Sequence, residues 1–138
     1  MTITIYLTFH GNCDQAFNFY KSIFGCDHSY IGRYKDISSE ARENFPFCKD
    51  EHIMHITLQI NKETVLMGND QILDEQNSIK AKNGFALLIH ADTQSEADRI
   101  FNALSEEGEV ILPIDKQFWG SYYGMCKDQF GVTWKISF

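Results

Sequence analysis

Histidine and cysteine have the widest chemical use of the side chains in this sequence, and their spacing argues against several familiar sites. The five histidines are His10, His28, His52, His55 and His90. None falls in the His-x-x-x-His or His-Glu-x-x-His spacing that places two imidazoles on one helix face. The four cysteines are scattered without a Cys-x-x-Cys pair, so the sequence predicts neither a zinc ribbon nor a redox motif.

His55 is the strongest candidate for acid–base chemistry. It begins an alternating run in which Ile56 and Leu58 share one face of a predicted strand. If those apolar residues pack beneath a helix, His55 and Thr57 face the opposite side. An imidazole titrates near neutral pH and can act as a general base, whereas a strand histidine bonded to a neighbouring Thr or Tyr is structural. The sequence leaves both interpretations open and favours the structural one.

Alternation in other strands places further polar and aromatic side chains on the same kind of face. In the first strand, Ile5 and Leu7 point to the core and Tyr6 to the other side. In the last strand, Trp134 packs behind and Lys135 faces outward. Lys135 could pair with an anionic ligand group, extend its ammonium to water, or meet a carboxylate, and the sequence does not decide among these.

An aromatic, glycine-rich stretch contains Trp119 and Tyr123. One interpretation is a stacking wall for a planar ligand. The other, which the sequence favours slightly, is a strand whose glycines allow close backbone approach while its rings fill the core. Tyr6 and Tyr123 could donate hydrogen bonds to a ligand or lie half-buried at a dimer interface.

The elements that position these residues follow one pattern that occurs twice, with copies about eighty residues apart. Each copy is an alternating strand, a capping box, and an amphipathic helix closed by glycine. In the first copy the strand is ITIYLTF, the capping box is Asn12–Gln15 and the helix runs to Gly25. In the second they are FALLIHA, Thr93–Glu96 and Gly108. The repeat predicts two halves built alike, with a site between them.

The predicted order of elements is βαβββ, twice, which is an α+β domain with helices on one face of the sheet. We expect a single domain over residues 1–138, with module 1 at about 1–70, module 2 at about 84–138, and a polar connector at 71–83. Residues 36–51 are polar and interrupted by Pro46, which predicts an irregular excursion, a candidate for mobility, with at most one helical turn.

Bulk properties exclude several function classes. The net charge of −7 leaves no basic stripe to neutralise phosphates, so we expect no nucleic-acid partner. Apolar runs all fall short of the ~18 residues of a membrane span, so no membrane partner is expected. We also expect no signal peptide, and reduced thiols fit a cytoplasmic location.

Short segments along nearly the whole chain resemble the vicinal oxygen chelate superfamily (glyoxalase I, extradiol dioxygenases, bleomycin-resistance proteins), specifically its PhnB-like branch. The segments are Tyr6–Cys13, Ala16–Tyr20, Phe24-Gly25, Ile53–His55, Trp119-Gly120 and Asp128–Trp134. The resemblance implies two βαβββ modules that form a curved mixed sheet around a cavity, as in the glyoxalase/bleomycin-resistance fold. It also implies a homodimer, but no single reaction, because isomerases, dioxygenases, lyases and pure binding proteins share this fold.

The resemblance also implies where a metal would bind. Metal-using relatives hold one divalent ion at four cavity-facing positions, which fall here at Tyr6 (or Ile5), Met67, Phe85 and Lys135. Divalent ions prefer carboxylate, imidazole or thiolate donors, and at least three of these four positions offer none. We therefore predict no metal and no cofactor.

Together these observations predict an aromatic-walled pocket with a few polar groups, as is usual for small-molecule sites. The predicted ligand-binding residues are Tyr6, His55, Met67, Phe85, Trp119, Tyr123 and Lys135. The leading hypothesis is a metal-free, homodimeric small-molecule-binding protein. The alternatives are a lyase or isomerase acting through His55 and Lys135, a metal-dependent member with an unrecognised site, and a protein in which dimerisation alone persists.

Overall fold

The structure is a computed structural model that describes residues 1–72 and 84–138. The chain divides into two compact units, Met1–Lys80 and Ala81–Phe138, and each is described below by itself. Most of the predicted connector, 71–83, lies outside the described residues.

The first unit is a four-stranded mixed sheet with one long helix. Its elements are β1 (Ile5–Phe9), α1 (Cys13–Phe24), β2 (His28–Arg33), a 3-10 turn (Tyr34–Asp36), α2 (Ser39–Arg42), β3 (Ile53–Gln59) and β4 (Val65–Asp70). The strand order is β1-β4-β3-β2, with β1 parallel to β4 and the other pairs antiparallel.

The second unit repeats this plan. Its elements are β5 (Leu87–His90), α3 (Gln94–Ser105), β6 (Glu109–Lys116), β7 (Tyr122–Lys127) and β8 (Thr133–Ser137). The order is β5-β8-β7-β6, again with one parallel pair, β5 and β8. The α+β class and the βαβββ order are confirmed. β6 runs past the predicted 110–113 and includes Pro113, which an edge strand tolerates because its outer N–H groups need no partner.

The two units match in register. Gln59 pairs with Val65 in one hairpin and Lys127 with Thr133 in the other, so the connecting loops, 60–64 and 128–132, have equal length. An irregularity in the β2–β3 pairing follows the His28–Leu58 pair, and one in the β6–β7 pairing follows Val110–Cys126, the equivalent pair of the second unit. These correspondences assign an equivalent position in the second unit to each strand residue of the first.

Two glycines identify the face of each sheet that packs on its helix. A Cβ at Gly68 would lie 2.7 Å from the Phe17 ring of α1, and one at Gly124 would lie 2.8 Å from the Phe101 ring of α3. The helix faces are closely packed, with Phe17 and Leu104 fully buried. The opposite face of each sheet, here called its open face, has the alternate residues of the same strands.

The start of α1 differs from the sequence prediction. Asn12 is the N-cap, but its side chain makes no capping hydrogen bond, so the predicted capping box with Gln15 is wrong. Instead the buried carboxylate of Asp70 accepts hydrogen bonds from the backbone N–H groups of Gly11 and Cys13 through Oδ1, and from Ile53 through Oδ2. A residue distant in sequence therefore satisfies the helix N-terminus.

The start of α3 follows the prediction more closely. Thr93 Oγ1 accepts a hydrogen bond from the Glu96 N–H at 3.1 Å, as a local cap. The Glu96 carboxylate accepts from the backbone N–H of Asp92 rather than that of Thr93. The second helix is thus capped from within its own first turn.

The helix C-termini also differ from each other. Gly25 ends α1 in the left-handed conformation, with φ 65°, as predicted. α3 ends at Ser105, and Glu107 rather than Gly108 takes a positive φ, of 55°. Gly108 is needed for a different reason, because a Cβ there would lie 2.3 Å from the Lys127 carbonyl oxygen. The predicted glycine stop for α3 is wrong.

The polar excursion after β2 contains one short helix, as expected, and is held by Arg42. Its guanidinium donates to the carbonyl oxygens of Phe45 and Cys48 and to the Asp50 carboxylate, and lies over the ring of buried Tyr34. No helix in the described ranges 1–72 and 84–138 is long and apolar enough to span a membrane.

Candidate functional site

The open face of the first sheet has one continuous row of side chains across all four strands. Tyr6 on β1 is the register partner of Met67 on β4, Met67 pairs with Thr57 on β3, and Thr57 pairs with Tyr30 on β2. The two tyrosines at the ends of the row are 47% and 51% exposed, whereas Thr57 between them is buried. The row is therefore an aromatic-edged surface with a thioether and a hydroxyl at its centre.

His55 lies beside this row and is hydrogen-bonded through both ring nitrogens. Its Nδ1 is 3.0 Å from the Tyr6 hydroxyl, and its Nε2 is 3.1 Å from Thr57 Oγ1. A neutral ring satisfies both contacts when Nδ1 accepts from the phenol and Nε2–H donates to the threonine. The three side chains form a hydrogen-bonded chain, Tyr6–His55–Thr57, of the structural kind that the sequence favoured.

Two tyrosine rings flank the imidazole. The Tyr6 and Tyr30 ring centroids are 5.6 and 5.8 Å from that of His55, both in tilted orientations. The Tyr30 ring occupies the space above Gly32, where a Cβ would lie 2.7 Å from the Tyr30 hydroxyl. A side chain at Gly32 would thus displace Tyr30, so this glycine allows the aromatic pair to close on His55.

The Tyr6 phenol remains protonated well above neutral pH. Burial raises its pKa above the ordinary value, and the thiol of Cys13, where ionised, would raise it further. A protonated phenol is a hydrogen-bond donor as well as an acceptor. Tyr6 therefore supplies a donor to His55 at neutral pH and keeps lone pairs free to accept from a bound molecule.

Two residues of this face were not among the predicted site residues. Tyr30 follows an irregularity in the β2–β3 pairing, which strand alternation alone does not reveal. Asn69 lies one residue beyond the predicted end of β4, and its buried Oδ1 has no hydrogen-bond partner among the described residues. A strand prediction extended through Asn69 would have placed its amide on the open face, two residues after Met67.

The second sheet has the matching row with different chemistry. Leu88 on β5 pairs with Lys135 on β8, Lys135 pairs with Met125 on β7, and Met125 pairs with Leu112 on β6. Here the open face has three apolar side chains and one ammonium.

Tyr123 and Trp119 extend this second open face. Tyr123 is two residues before Met125 on β7, at the position that His55 has in the first unit. The Trp119 ring packs edge-on against Tyr123 with centroids 5.7 Å apart, and Phe118 packs edge-on against Trp119. The Gln117 amide donates to the Tyr123 carbonyl oxygen and anchors the loop that contains Trp119.

Phe85 does not lie at the start of a strand, where the sequence predicts it. It lies two residues before β5 and is 70% exposed. By register, the position equivalent to Tyr6 is Leu88, because Tyr6 pairs with Met67 as Leu88 pairs with Lys135. The structure thus groups Tyr6, His55 and Met67 on one open face, and Trp119, Tyr123 and Lys135 on the other.

The donor set at the four family positions does not fit a divalent cation. By register these positions are Tyr6, Met67, Leu88 and Lys135, which offer a protonated phenol, a thioether, an alkyl group and an ammonium. In the part of the chain that the structure describes, no group of three or more His, Cys, Asp or Glu side chains could hold a metal ion.

Comparison with known proteins gives one family and several structural relatives. Residues 1–137 match the family described as 3-demethylubiquinone-9 3-methyltransferase. The chain is 31% identical to PA1353 from Pseudomonas aeruginosa, with 99% and 96% of the two chains covered and a TM-score of 0.82. A PhnB protein from Bacillus cereus is 25% identical, with 99% and 98% covered and a TM-score of 0.81.

The fold extends to more distant proteins. A glyoxalase-related enzyme from Fulvimarina pelagi is 18% identical, with 100% and 88% of the chains covered and a TM-score of 0.61. At that identity the likeness concerns the fold alone.

Proposed function

Because the chain belongs to the 3-demethylubiquinone-9 3-methyltransferase family and is PhnB-like with a glyoxalase fold, we propose that it is a metal-free, homodimeric small-molecule-binding protein. The observation that carries this proposal is the Tyr6–His55–Thr57 chain on an open sheet face, flanked by a second tyrosine ring. The family description names a methyltransferase, but the proposal rests on these side chains and requires no reaction.

The first open face suits a planar ligand with a hydroxyl group. The rings of Tyr6 and Tyr30 and the thioether of Met67 provide polarisable surface for an aromatic ring. The Tyr6 hydroxyl, whose proton goes to His55, accepts a hydrogen bond from a hydroxyl group of the ligand. Because Tyr6, His55 and Thr57 already hold one another, a ligand meets groups whose orientation is fixed.

The second open face contributes Trp119, Tyr123 and Lys135 to the proposed ligand-binding set, and Leu88 takes the place that the sequence assigned to Phe85. Edge-on packing holds the Trp119 ring against Tyr123, which supports a role as an aromatic wall rather than as a mobile loop side chain.

Homodimer formation is supported by the apolar side chains that one chain leaves in water. Ile3 and Phe118 are almost fully exposed, and Val110 and Ile111 are exposed on edge strand β6. Sedimentation equilibrium should give twice the chain mass of 16.0 kDa. A single-chain mass at micromolar concentration would contradict the dimer and leave the binding face unaffected.

The metal-free part of the proposal is tested by elemental analysis of purified protein, together with thermal-shift scans in Ni, Zn, Mn and Fe salts. We expect no stoichiometric metal and no saturable shift, because none of the four family positions offers an anionic donor. One ion per chain would contradict this part of the proposal.

The binding face is tested with naphthol, a planar probe with one hydroxyl group. Amide NMR spectra should show shifts on β1, β3 and β4, and Tyr6→Phe should weaken binding about fivefold, because it removes one hydrogen-bonding group and keeps the ring. His28→Gln is the control, since His28 contacts Asn18 of α1 and so lies on the helix side. Shifts absent from the first open face, or equal affinity of wild type and Tyr6→Phe, would refute this site.

A further inference from the structure

Lys135 is a cation in an otherwise apolar row. Its register partners are Leu88 and Met125, and the row continues to Leu112. The side chain is half-buried among them. An ammonium in such surroundings loses part of its hydration, and an anion that replaces lost water contacts is bound more firmly there than at an open surface.

Within residues 1–72 and 84–138, no carboxylate forms an ion pair with Lys135. The ion pairs between residues that the structure describes involve Lys21, Arg33, Lys35 and Arg42, all in the first unit. Asp115, which pairs in register with Tyr123, bonds instead to the backbone N–H of Lys116. Among the residues that the structure describes, the ammonium of Lys135 is thus without a counter-ion on its own face.

The fold does not require a charge at this position. By register, Met67 occupies the equivalent place in the first unit, between strands paired in the same way. A methionine there serves the sheet equally well, so the lysine needs another reason. The nearby rings of Tyr123 and Trp119, packed edge-on, supply apolar surface beside the ammonium.

We propose that Lys135 binds the carboxylate of a small aromatic acid whose ring lies against Met125, Leu88 and the Tyr123–Trp119 pair. This inference rests on the proposed function and specifies the ligand class that the second open face takes. An exposed ion pair alone binds weakly, so the apolar surface around the ammonium provides the remaining affinity and selects an anion with a ring.

The test compares naphthoate with its uncharged counterpart naphthamide, by calorimetry and by amide NMR. Naphthoate should shift the amides of Leu88, Met125 and Lys135, and naphthamide should bind about tenfold more weakly. Lys135→Met should lower naphthoate affinity by a similar factor and fold normally, because it introduces the residue found at position 67. Lys62→Met, in the β3–β4 turn, is the matched control for net charge.

Equal affinity for acid and amide, unchanged affinity of Lys135→Met, or no naphthoate binding at millimolar concentration would each overturn this inference. The naphthol test separates the two proposals. If naphthol binds at Tyr6 while Lys135→Met leaves naphthoate affinity unchanged, only this inference fails. If naphthoate binds through Lys135 while naphthol leaves β1 and β3 unshifted, the Tyr6 site fails and the anion site stands.

Discussion

The open face of the first sheet presents a phenol, an imidazole and a hydroxyl in one hydrogen-bonded chain, whereas the equivalent face of the second presents an ammonium between alkyl and thioether groups. The frames beneath them share strand order, hairpin loop length and the place of the first pairing irregularity. Two sheets with the same backbone arrangement therefore place side chains at equivalent positions, and the chemistry of those side chains differs.

The difference extends to the helix ends. The first helix N-terminus depends on Asp70 at the end of β4, and the second on Thr93 within its own first turn. The first helix ends at a left-handed glycine, whereas the second ends at Ser105, two residues before the left-handed Glu107. Substitutions at these helix ends should therefore destabilise the two units to different extents.

The largest expected effect is that of Asp70→Ala. It leaves the buried N–H groups of Cys13 and Ile53 and the part-buried N–H of Gly11 without their acceptor, so the free energy of unfolding should fall by about 3 kcal/mol or more. Thr93→Ala, which removes one local cap, should cost only about 1 kcal/mol. Urea unfolding of both variants measures the contrast. Equal losses in the free energy of unfolding would show that the Asp70 cap stabilises the protein no more than the local Thr93 cap.

A second contrast concerns the glycines after the two long helices. Gly108→Ala should cost about 2 kcal/mol, because its Cβ would meet the Lys127 carbonyl oxygen and the backbone would have to move. Gly25→Ala has open space around it and should cost about 1 kcal/mol, through its left-handed φ alone. Thermal unfolding of both variants measures the contrast. If α3 did end at Gly108, Gly108→Ala would cost less than Gly25→Ala.

A third prediction concerns buried thiols at alkaline pH. Burial first, and then the negative charge of Asp128, raises the pKa of Cys126 to about 11, and burial with Asp70 and Asp14 raises that of Cys13 further. The unfolded chain releases these protons from about pH 9, while the folded protein keeps them. The free energy of unfolding should therefore fall as pH rises, by about 1.4 kcal/mol per pH unit for each thiol.

Single Cys→Ala variants separate the two thiols. Cys126→Ala should make the decline shallower between pH 9 and about pH 11, where the folded thiol also ionises. The part that Cys13 contributes should continue above that pH, because its folded-state pKa is higher. Urea unfolding across this pH range measures how steeply the free energy of unfolding falls in each variant. If neither substitution changes that slope, other groups cause the loss of stability at alkaline pH.

The smallest expected effects distinguish Phe85 from Leu88. Leu88→Ala should weaken naphthoate binding about threefold, since Leu88 is the register partner of Lys135, with little change in stability. Phe85→Ala, outside β5 and 70% exposed, should change neither property measurably if Leu88 is the true equivalent of Tyr6. A larger loss for Phe85→Ala would restore it to the ligand-binding set.

Local patterns predicted the elements well. Alternation placed His55 and Thr57 on one face, and Thr93 and Gly25 were correctly assigned to helix ends, because these signals act within a few residues. The same signals failed at Asn12, where a residue from the far end of the unit supplies the acceptor, and at Gly108, where a neighbouring strand limits the space.

The candidate site was predictable in part for the same reason. Tyr6, His55 and Met67 follow from strand parity, and the structure places them on one face. Tyr30 was missed because a pairing irregularity shifts its side, and Asn69 because the predicted strand stopped one residue early. Leu88 required the pairing of β5 with β8, which fixes the equivalence with Tyr6 and cannot be read from a single strand.

The long-range hydrogen bonds of Asp70 affect the order in which the chain becomes structured during synthesis. Its hydrogen bonds to Gly11 and Cys13 span 59 and 57 residues. The N-terminus of α1 therefore stays incomplete until residue 70 has left the ribosome, whereas α3 has its cap as soon as Glu96 follows Thr93. The unit made first should thus close late, when its last strand arrives, and the unit made second can start locally.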